Sequence, residues 1–220
     1  MKIKNIVTIG GGTGTFTVLS GLKTFPLNLS AIVSMSDDGG STGMLRDQYG
    51  VLPPGDIRRA LVALSESSET LRDLFNYRFE EGGLHGYNFG NLFLAALEKV
   101  TGDFTSAIRE ASNLLSINGE VVPVTLDDVR LYAKLIDGKI LRGETRIDIP
   151  RTANRPKIET VWLEPTARIN PSVRRVLHVA DLIIIGPGDL YTSIIPNLLV
   201  KGMPEVIRDS KAKKVYIGNI

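Results

Sequence analysis

The 220-residue sequence predicts an α/β fold with a doubly wound, mainly parallel sheet. Short apolar, β-branched segments end in glycine, and helical patterns follow them. The first two of these segments are roughly 30 residues apart, which is the spacing of a βαβ unit. A hydrophobic share of 43% is enough for a sizeable core. We therefore expect one Rossmann-like domain over residues 1–220, with a helical block at about 56–115 and a β-rich insertion at about 121–164.

The N-terminal residues form the first predicted βαβ unit. Residues 3–9 are rich in β-branched side chains and end at glycine, as expected of a buried strand. An apolar stripe from Phe16 to Leu22 then has helical spacing, and Pro26 ends it. Residues 29–35, LSAIVSM, predict a second buried strand. The right-handed crossover between them makes the two strands parallel.

The rest of the chain continues this pattern. A polar stretch from Ser36 to Asp56 predicts a long loop before the helical block. Within 121–164, the segments VVPVT, LYAKLIDGKILRGE and IETVWLEP indicate antiparallel strands, and Asp137-Gly138 predicts a hairpin turn inside the second segment. DLIIIGPG and KKVYIGNI predict the third and fourth buried strands. Since the sequence stops on an apolar strand, we expect that a C-terminal part of the natural protein is missing.

Composition excludes several functional classes. Lys and Arg number 26 against 24 Asp and Glu, with both signs spread along the chain, so no basic stripe predicts nucleic-acid binding. The absence of cysteine excludes disulfides, thiolate nucleophiles and Cys-based zinc sites, and suits a reducing cytoplasm. The apolar runs are shorter than the roughly 20 residues that span a bilayer. We expect a soluble, cytoplasmic protein with no membrane span.

The loop GGGTG at 10–14 is the first candidate ligand site. Glycine lets a ligand approach backbone N–H groups closely, and the following helix N-terminus favours an anion such as phosphate. The dinucleotide fingerprint is met only in part, because Thr15 stands where a glycine is required, and no P-loop ending follows. A merely tight turn stays open as an alternative. The candidate residues are Gly11, Gly12, Thr13 and Gly14.

The second predicted strand ends in SDDGGSTGMLR. Asp37 and Asp38 should face the same crevice as the glycine loop, where carboxylates can hold ribose hydroxyls or a magnesium ion. A polar Asp-Gly turn without function is the alternative. Asp56 is predicted to cap the next helix, with Arg58 and Arg59 in its first turn as candidate anion ligands.

Two later loops have similar chemistry. In HGYNFGN, Asn91 caps a helix or binds a base or sugar. His85 is predicted to be a loop residue and His178 a packed helix residue. After the third strand, GPGDLYTS places hydroxyl and N–H groups at the same sheet edge. These loops together predict nucleotide or nucleotide-sugar binding. The candidates in the last loop are Gly188, Tyr191, Thr192 and Ser193.

Five motifs occur in the order of a known family. They are GGGTG at 10–14, SDDGGSTGMLR at 36–46, PPGDIRRAL at 53–61, NFGNLFLAAL at 88–97 and GPGDLYTSIIPNLLV at 186–200. In this order they resemble the CofD/YvcK family across nearly the whole chain. The β-rich region and the string YTSIIPNLL make the sequence most similar to the YvcK branch, the gluconeogenesis factors, rather than to the 2-phospho-L-lactate transferases of deazaflavin cofactor biosynthesis.

The resemblance implies a Rossmann-like, cytoplasmic bacterial protein that binds UDP-sugars. It also implies a role in cell shape and cell-wall synthesis during growth on gluconeogenic carbon sources. Two departures limit the transfer. Tyr87-Asn88 stands where a His-Ser pair is expected, with His85 two positions earlier, so no role is assigned to that histidine. The family also continues beyond a strand like VYIGNI.

Three functions are compatible with these motifs. The first is a ligand-sensing regulator whose surface a partner protein reads, with no catalytic residue assigned. The second is a transferase related to the phospholactate enzymes, in which Asp37 or Asp38 holds magnesium. The third, a tubulin-like GTPase suggested by GGGTGT, ranks last because Phe16 stands where a further glycine is expected. A regulator is favoured over an enzyme, and homo-oligomerisation stays open.

Overall fold

The computed structural model describes residues 3–150 and 154–218. The strands in that part of the chain are β1 (Lys4–Gly10), β2 (Leu27–Val33), β3 (Glu120–Pro123), β4 (Arg130–Leu135), β5 (Ile140–Arg142), β6 (Ile158–Glu164), β7 (Leu182–Ile185) and β8 (Lys213–Tyr216). A five-stranded sheet has the order β3-β2-β1-β7-β8, and all its pairs are parallel. The predicted α/β fold with a mainly parallel sheet is confirmed.

Ten α-helices lie in the described residues. They are α1 (Gly12–Leu22), α2 (Gly40–Tyr49), α3 (Gly55–Leu64), α4 (Glu69–Asn76), α5 (Phe89–Thr101), α6 (Phe104–Leu114), α7 (Glu144–Asp148), α8 (Pro171–Val179), α9 (Ile195–Leu199) and α10 (Met203–Asp209). Helices α1 and α3 contact each other and the β1–β2 part of the sheet, whereas α8 contacts β1, β3 and α10. The crossover from β1 to β2 and the crossover from β7 to β8 run in opposite directions along the sheet. Because both are right-handed, α1 and α10 lie on opposite faces of the sheet.

The strand order reverses beside β1. From β1 the chain moves to β2 on one side, and from β7 it moves to β8 on the other. Strands β1 and β7 are neighbours in register from Ile6 opposite Leu182 to Ile9 opposite Ile185. The loops that follow them therefore begin side by side at a topological switch point, which is where open α/β sheets bind ligands.

A second, antiparallel sheet has the order β5-β4-β6. Its hairpin turns at Asp137-Gly138, as the sequence predicts. Gly138 has a φ of +86°, and the Asp137 carboxylate accepts a hydrogen bond from the N–H of Lys139 at 3.1 Å. These two residues supply the turn chemistry that joins β4 to β5.

The structure corrects two element predictions. Residues 36–56 are not one long loop, because α2 occupies Gly40–Tyr49 and ends at Gly50 with a φ of +61°. Polar side chains, including Arg46, are buried along this helix, so it lacks the apolar stripe that would reveal it. The segment VVPVT was predicted to be antiparallel, but β3 pairs in parallel with β2 as an edge of the main sheet.

One continuous apolar core lies beneath the switch point. Ile9 and Ile32 from neighbouring strands and Leu19 from α1 are all 0% exposed. Complete burial of such a side chain is worth about 1.5–3 kcal/mol, so the loops start from a rigid base. Among the described residues, no helix has the length and apolar content needed to cross a membrane.

Candidate ligand-binding site

The glycine loop after β1 touches the loop after β7. A Cβ atom at Gly14 would overlap the backbone carbonyl of Pro187, and a Cβ atom at Gly12 would lie 3.8 Å from the Ser193 hydroxyl. Gly12 also has a φ of +68°, a conformation that other residues adopt only with strain. Glycine is thus required both for backbone conformation and for the close approach of the two loops.

Asp56 does not cap α3, because Pro54 is the N-cap and Asp56 lies one residue inside the helix. Its carboxylate accepts a hydrogen bond from the N–H of Gly12 at 2.9 Å and therefore caps α1 instead. The side chain is buried and lies 3.5 Å from the guanidinium of Arg59. The prediction was wrong because a local pattern cannot show that a carboxylate serves a helix 44 residues away.

In the loop after β7, a carboxylate of the loop itself, that of Asp189, accepts the hydrogen bonds. Asp189 accepts hydrogen bonds at 2.9 Å from the N–H of Tyr191, the N–H of Thr192 and the hydroxyl of Thr192. These donors lie in a π-helical turn over Leu190–Ile194. Gly188 packs closely on Ser193, with a Cβ position 3.0 Å from that of the serine. The candidate residues of this loop therefore lie together at the switch point, with several donors engaged by the chain itself.

A polar cavity of about 350 Å³ opens next to Asp56. Four elements contribute to it: the α2 N-terminus, α3, α5 and α7, together with the segment before α5. Its charged and polar lining residues include Asp37, Ser41, Thr42, Asp56, Arg58, Arg59, Arg78, Asn91, Glu144, Thr145 and Asp148.

Asp37 and Asp38 reach different partners. Asp37 lines the cavity and accepts a hydrogen bond from the N–H of Gly39 at 2.8 Å. Asp38 accepts bonds from the N–H and hydroxyl of Thr145, at 3.1 and 3.3 Å. Burial raises the pKa of Asp37, opposed by its hydrogen bonds with Gly39 and Thr42. Asp37 is thus the carboxylate of this pair that faces the cavity.

Asn91 is a buried cavity residue and does not cap a helix. Asn88 caps α5 by accepting a bond from the N–H of Asn91 at 3.0 Å. The Asn91 amide nitrogen donates to the hydroxyls of Ser41 and Thr42, at 2.9 and 3.3 Å. Its Oδ1 accepts no hydrogen bond from the residues that the structure describes. The Oδ1 atom of Asn91 is therefore available to a hydrogen-bond partner outside the described chain.

The carboxylates of this cavity disfavour one another's ionisation. Burial, followed by repulsion from Asp37, raises the pKa of Asp56 to about 7. Burial also raises the pKa of Glu144 well above its usual range, with Asp37, Asp56 and Asp38 adding repulsion. A cation or a proton is therefore stabilised beside these carboxylates.

Three arginines line the same cavity: Arg58, Arg59 and Arg78. Arg58 is 7% exposed and donates to the carbonyl of Phe75 at 3.3 Å and to the Asn76 side chain at 2.6 Å. Burial and the neighbouring Arg59 and Arg78 guanidinium groups lower the pKa of Arg58 to about 10. The cavity thus presents both signs of charge.

Arg46 and the two histidines lie outside this arrangement. Arg46 is buried and bonds Asp128 and the backbone oxygens of Asp37 and Val129, so it fixes the loop before α2. His85 follows a short 3₁₀ turn and is exposed, as predicted, whereas His178 lies on α8 but is exposed rather than packed.

Sequence reasoning missed four lining residues: Arg78, Glu144, Thr145 and Asp148. Three of them lie on α7, which was interpreted as part of a strand region, and nothing in their local pattern indicates a site. The described residues contain no group of three or more His, Cys, Asp or Glu side chains placed to hold a metal ion. The predicted magnesium ligands Asp37 and Asp38 thus stay a prediction.

Comparison with known proteins identifies the family. The family model described as 2-phospho-L-lactate transferase CofD matches residues 6–220. The chain belongs to this family. The gluconeogenesis factors of Halalkalibacterium halodurans and Bacillus subtilis are 47% and 46% identical to it, over 100% and 98% of the chain. A Nostoc relative of the same type is 49% identical over 98% of the chain. The predicted family resemblance is confirmed.

A crystal structure of a Bacillus halodurans protein has the same fold. It superposes with a TM-score of 0.94 at 47% identity and covers 100% of this chain and 70% of its own. The chain spans 47% of the Nostoc relative and 68% and 67% of the Halalkalibacterium and Bacillus relatives. The activities of these longer proteins therefore apply to this chain only as a proposal.

Proposed function

We propose that the chain is the nucleotide-sugar-binding part of a regulator of the gluconeogenesis-factor type, and that its ligand is a UDP-sugar. The observation that carries this proposal is the contact between the loops after β1 and β7, where Gly14 packs on Pro187 at the switch point. Doubly wound sheets bind nucleotides in this crevice, with the phosphates at the N-terminus of the first helix.

In this proposal the diphosphate lies over Gly11, Gly12, Thr13 and Gly14. The Asp56 carboxylate accepts the hydrogen bond of the Gly12 N–H, which a phosphate oxygen would otherwise accept. The ligand either displaces this carboxylate or binds the N–H groups next to it. Gly188, Tyr191, Thr192 and Ser193 close the opposite side of the crevice.

The sugar or base extends into the adjoining cavity, where Asp37 and Asn91 offer a carboxylate and an unpartnered amide oxygen. Binding then shifts the population of a surface that a cytoplasmic partner protein reads. The names of the relatives support a role in gluconeogenic growth. Since UDP-sugars are precursors of wall polymers, we extend the proposal to cell shape and cell-wall synthesis.

Calorimetric titration tests the proposal. The chain is titrated with UDP-N-acetylglucosamine, UDP-glucose, GTP and NAD, each with and without magnesium. We expect binding of a UDP-sugar without turnover. Thr13→Asp places a negative charge beside the diphosphate and should weaken binding at least about tenfold, while Thr17→Asp, one turn further along α1, is the control. Equal affinity of the two variants would refute this placement.

A magnesium-dependent enzyme similar to 2-phospho-L-lactate transferase is the second candidate. The description of the matching family model and the neighbouring carboxylates Asp37 and Asp56 favour it. One or two carboxylates together with substrate phosphates are a usual magnesium site, so Asp37 fits as a ligand. The ion would neutralise phosphate charge. Magnesium-dependent GTP binding with turnover that Asp37→Asn abolishes would support the enzyme, whereas turnover unchanged by Asp37→Asn would count against it.

A further inference from the structure

The N-terminus of α2 lines the cavity beside an arginine. This ten-residue helix begins at Gly40, and its N-cap residue Gly39 has no side chain, although the Asp37 carboxylate accepts a hydrogen bond from the Gly39 N–H at 2.8 Å. A guanidinium nitrogen of Arg78 lies 3.7 Å from the position that a Cβ atom of Gly40 would take. The Arg78 guanidinium group therefore lies close to the start of this helix, and guanidinium groups and helix N-termini both attract anions.

The arginines of this cavity are only partly neutralised by the chain. Arg59 pairs with Asp56 at 3.5 Å. The hydrogen bonds of Arg58 go to Phe75 and Asn76, and that of Arg78 goes to the carbonyl of Gly86 at 2.6 Å, all of them uncharged acceptors. Within residues 3–150 and 154–218, neither Arg58 nor Arg78 has a carboxylate within ion-pair distance. Two positive charges thus remain without a counter-charge in direct contact.

In the part of the chain that the structure describes, two buried polar atoms in the lining of this cavity have no hydrogen-bond partner. Asn91 is 3% exposed and its Oδ1 accepts no bond, and Arg58 is 7% exposed and its Nε donates none, among the described residues. Buried polar atoms normally have partners. The hydroxyls of Ser41 and Thr42 that contact Asn91 can turn, and its amide can rotate by half a turn, so an N–H group can also face the cavity.

The carboxylates that line the same cavity weaken but do not cancel this positive charge. They are Asp37, Asp56, Glu144 and Asp148. The raised pKa values of Asp56 and Glu144 mean that these two side chains hold protons near neutral pH more readily than ordinary carboxyl groups do. The arginines therefore attract an anion even though carboxylates line the same cavity.

We propose that this part of the cavity is an oxyanion subsite, in which a phosphate or carboxylate group binds Arg58, Arg59 and Arg78 next to the α2 N-terminus. The subsite deepens the proposed function, on which it rests for its place beside the nucleotide crevice. The oxyanion is either the sugar-side phosphate of the nucleotide-sugar, since an Arg59 nitrogen lies only 3.7 Å from the Cβ position of Gly12, or the charged group of a separate small acidic metabolite.

Titration with inorganic phosphate and with pyrophosphate tests the subsite directly. Arg78→Gln is the main variant, because Arg78 is exposed and its removal leaves the core intact. Loss of one charged hydrogen-bond donor should weaken pyrophosphate binding about tenfold or more. Arg208→Gln on α10 makes the same charge change outside the cavity and should leave affinity unchanged. Arg59→Gln is a second variant, and thermal unfolding checks that each protein is folded.

The outcomes separate this inference from the proposed function. Absence of phosphate and pyrophosphate binding, or equal affinity of Arg78→Gln and Arg208→Gln, would overturn the subsite even if a UDP-sugar binds. Pyrophosphate binding that depends on Arg78, in a chain that binds no UDP-sugar, would support the subsite while the proposed function fails. If saturating UDP-sugar blocks pyrophosphate, the oxyanion belongs to the nucleotide-sugar; if both bind together, it belongs to a separate metabolite.

Discussion

Replacement of Asp56 by asparagine should make the protein more stable at alkaline pH. Asparagine keeps an oxygen that can accept the hydrogen bond from Gly12, but it removes a buried negative charge next to Asp37. Burial and this repulsion raise the pKa of Asp56 from 3.8 to about 7. At about 1.4 kcal/mol per pKa unit, the fully ionised side chain destabilises the folded state by about 4 kcal/mol.

The sign of the pH dependence follows from proton binding. Above pH 6, Asp56 is ionised in the unfolded chain, while the folded protein with a pKa of about 7 still holds a proton there. The folded state thus binds more protons than the unfolded state. The stability that this extra proton contributes is therefore lost as the pH rises through 7. Titration of one such group between about pH 6 and about pH 8 lowers the free energy of unfolding by roughly 1 kcal/mol.

Urea unfolding at these two pH values, followed by circular dichroism, measures this difference. We expect the wild type to lose stability with rising pH and Asp56→Asn to lose less, with the variant more stable at the higher pH. Asp73→Asn on the exposed surface of α4 is the matched control and should keep the wild-type dependence. A wild type that gains stability over this range, or an Asp56→Asn protein less stable than wild type at about pH 8, would refute the reasoning.

Two further predictions concern the loops at the switch point. Gly14→Ala should destabilise the protein by about 1–3 kcal/mol because its methyl group overlaps Pro187. Gly21→Ala on the same helix meets no atom within 4 Å and should stabilise the protein by about 0.5–1 kcal/mol. Thermal unfolding that ranks the two variants the other way would contradict the loop contact. Asp189→Ala removes the acceptor of three hydrogen bonds from Tyr191 and Thr192 and should cost about 1 kcal/mol, and an unchanged urea midpoint would show that the turn does not depend on this carboxylate.

The sequence could predict the sheet and the loops at its carboxyl edge because both depend on local signals. Strand β1 is a short β-branched run. Glycine is required at Gly12 by its backbone conformation and at Gly14 by the close contact with Pro187. The sequence of strand β3, by contrast, is compatible with either a parallel or an antiparallel sheet. The pairing of β3 with β2 is decided by tertiary packing, so the segment was assigned to the wrong sheet.

The cavity was harder to predict because distant segments build it. Glu144 comes from the β-rich region and Arg78 from the segment before α5, and each looks like an ordinary surface residue in the sequence. Helix α2 was missed since its buried side includes polar residues such as Ser41 and Thr42. Asp56 illustrates the same limit, because its position suggested a cap for its own helix while its hydrogen bond serves Gly12.

Binding of a UDP-sugar at the switch point between β1 and β7 is the central proposal for this protein. Hydrogen-exchange mass spectrometry of the chain with and without UDP-N-acetylglucosamine tests it most directly. We expect slower exchange on binding in residues 10–16 and 186–194, with additional protection in 36–46 from the adjoining cavity. Protection confined to other segments, or unchanged exchange in both loops at a saturating ligand concentration, would contradict it.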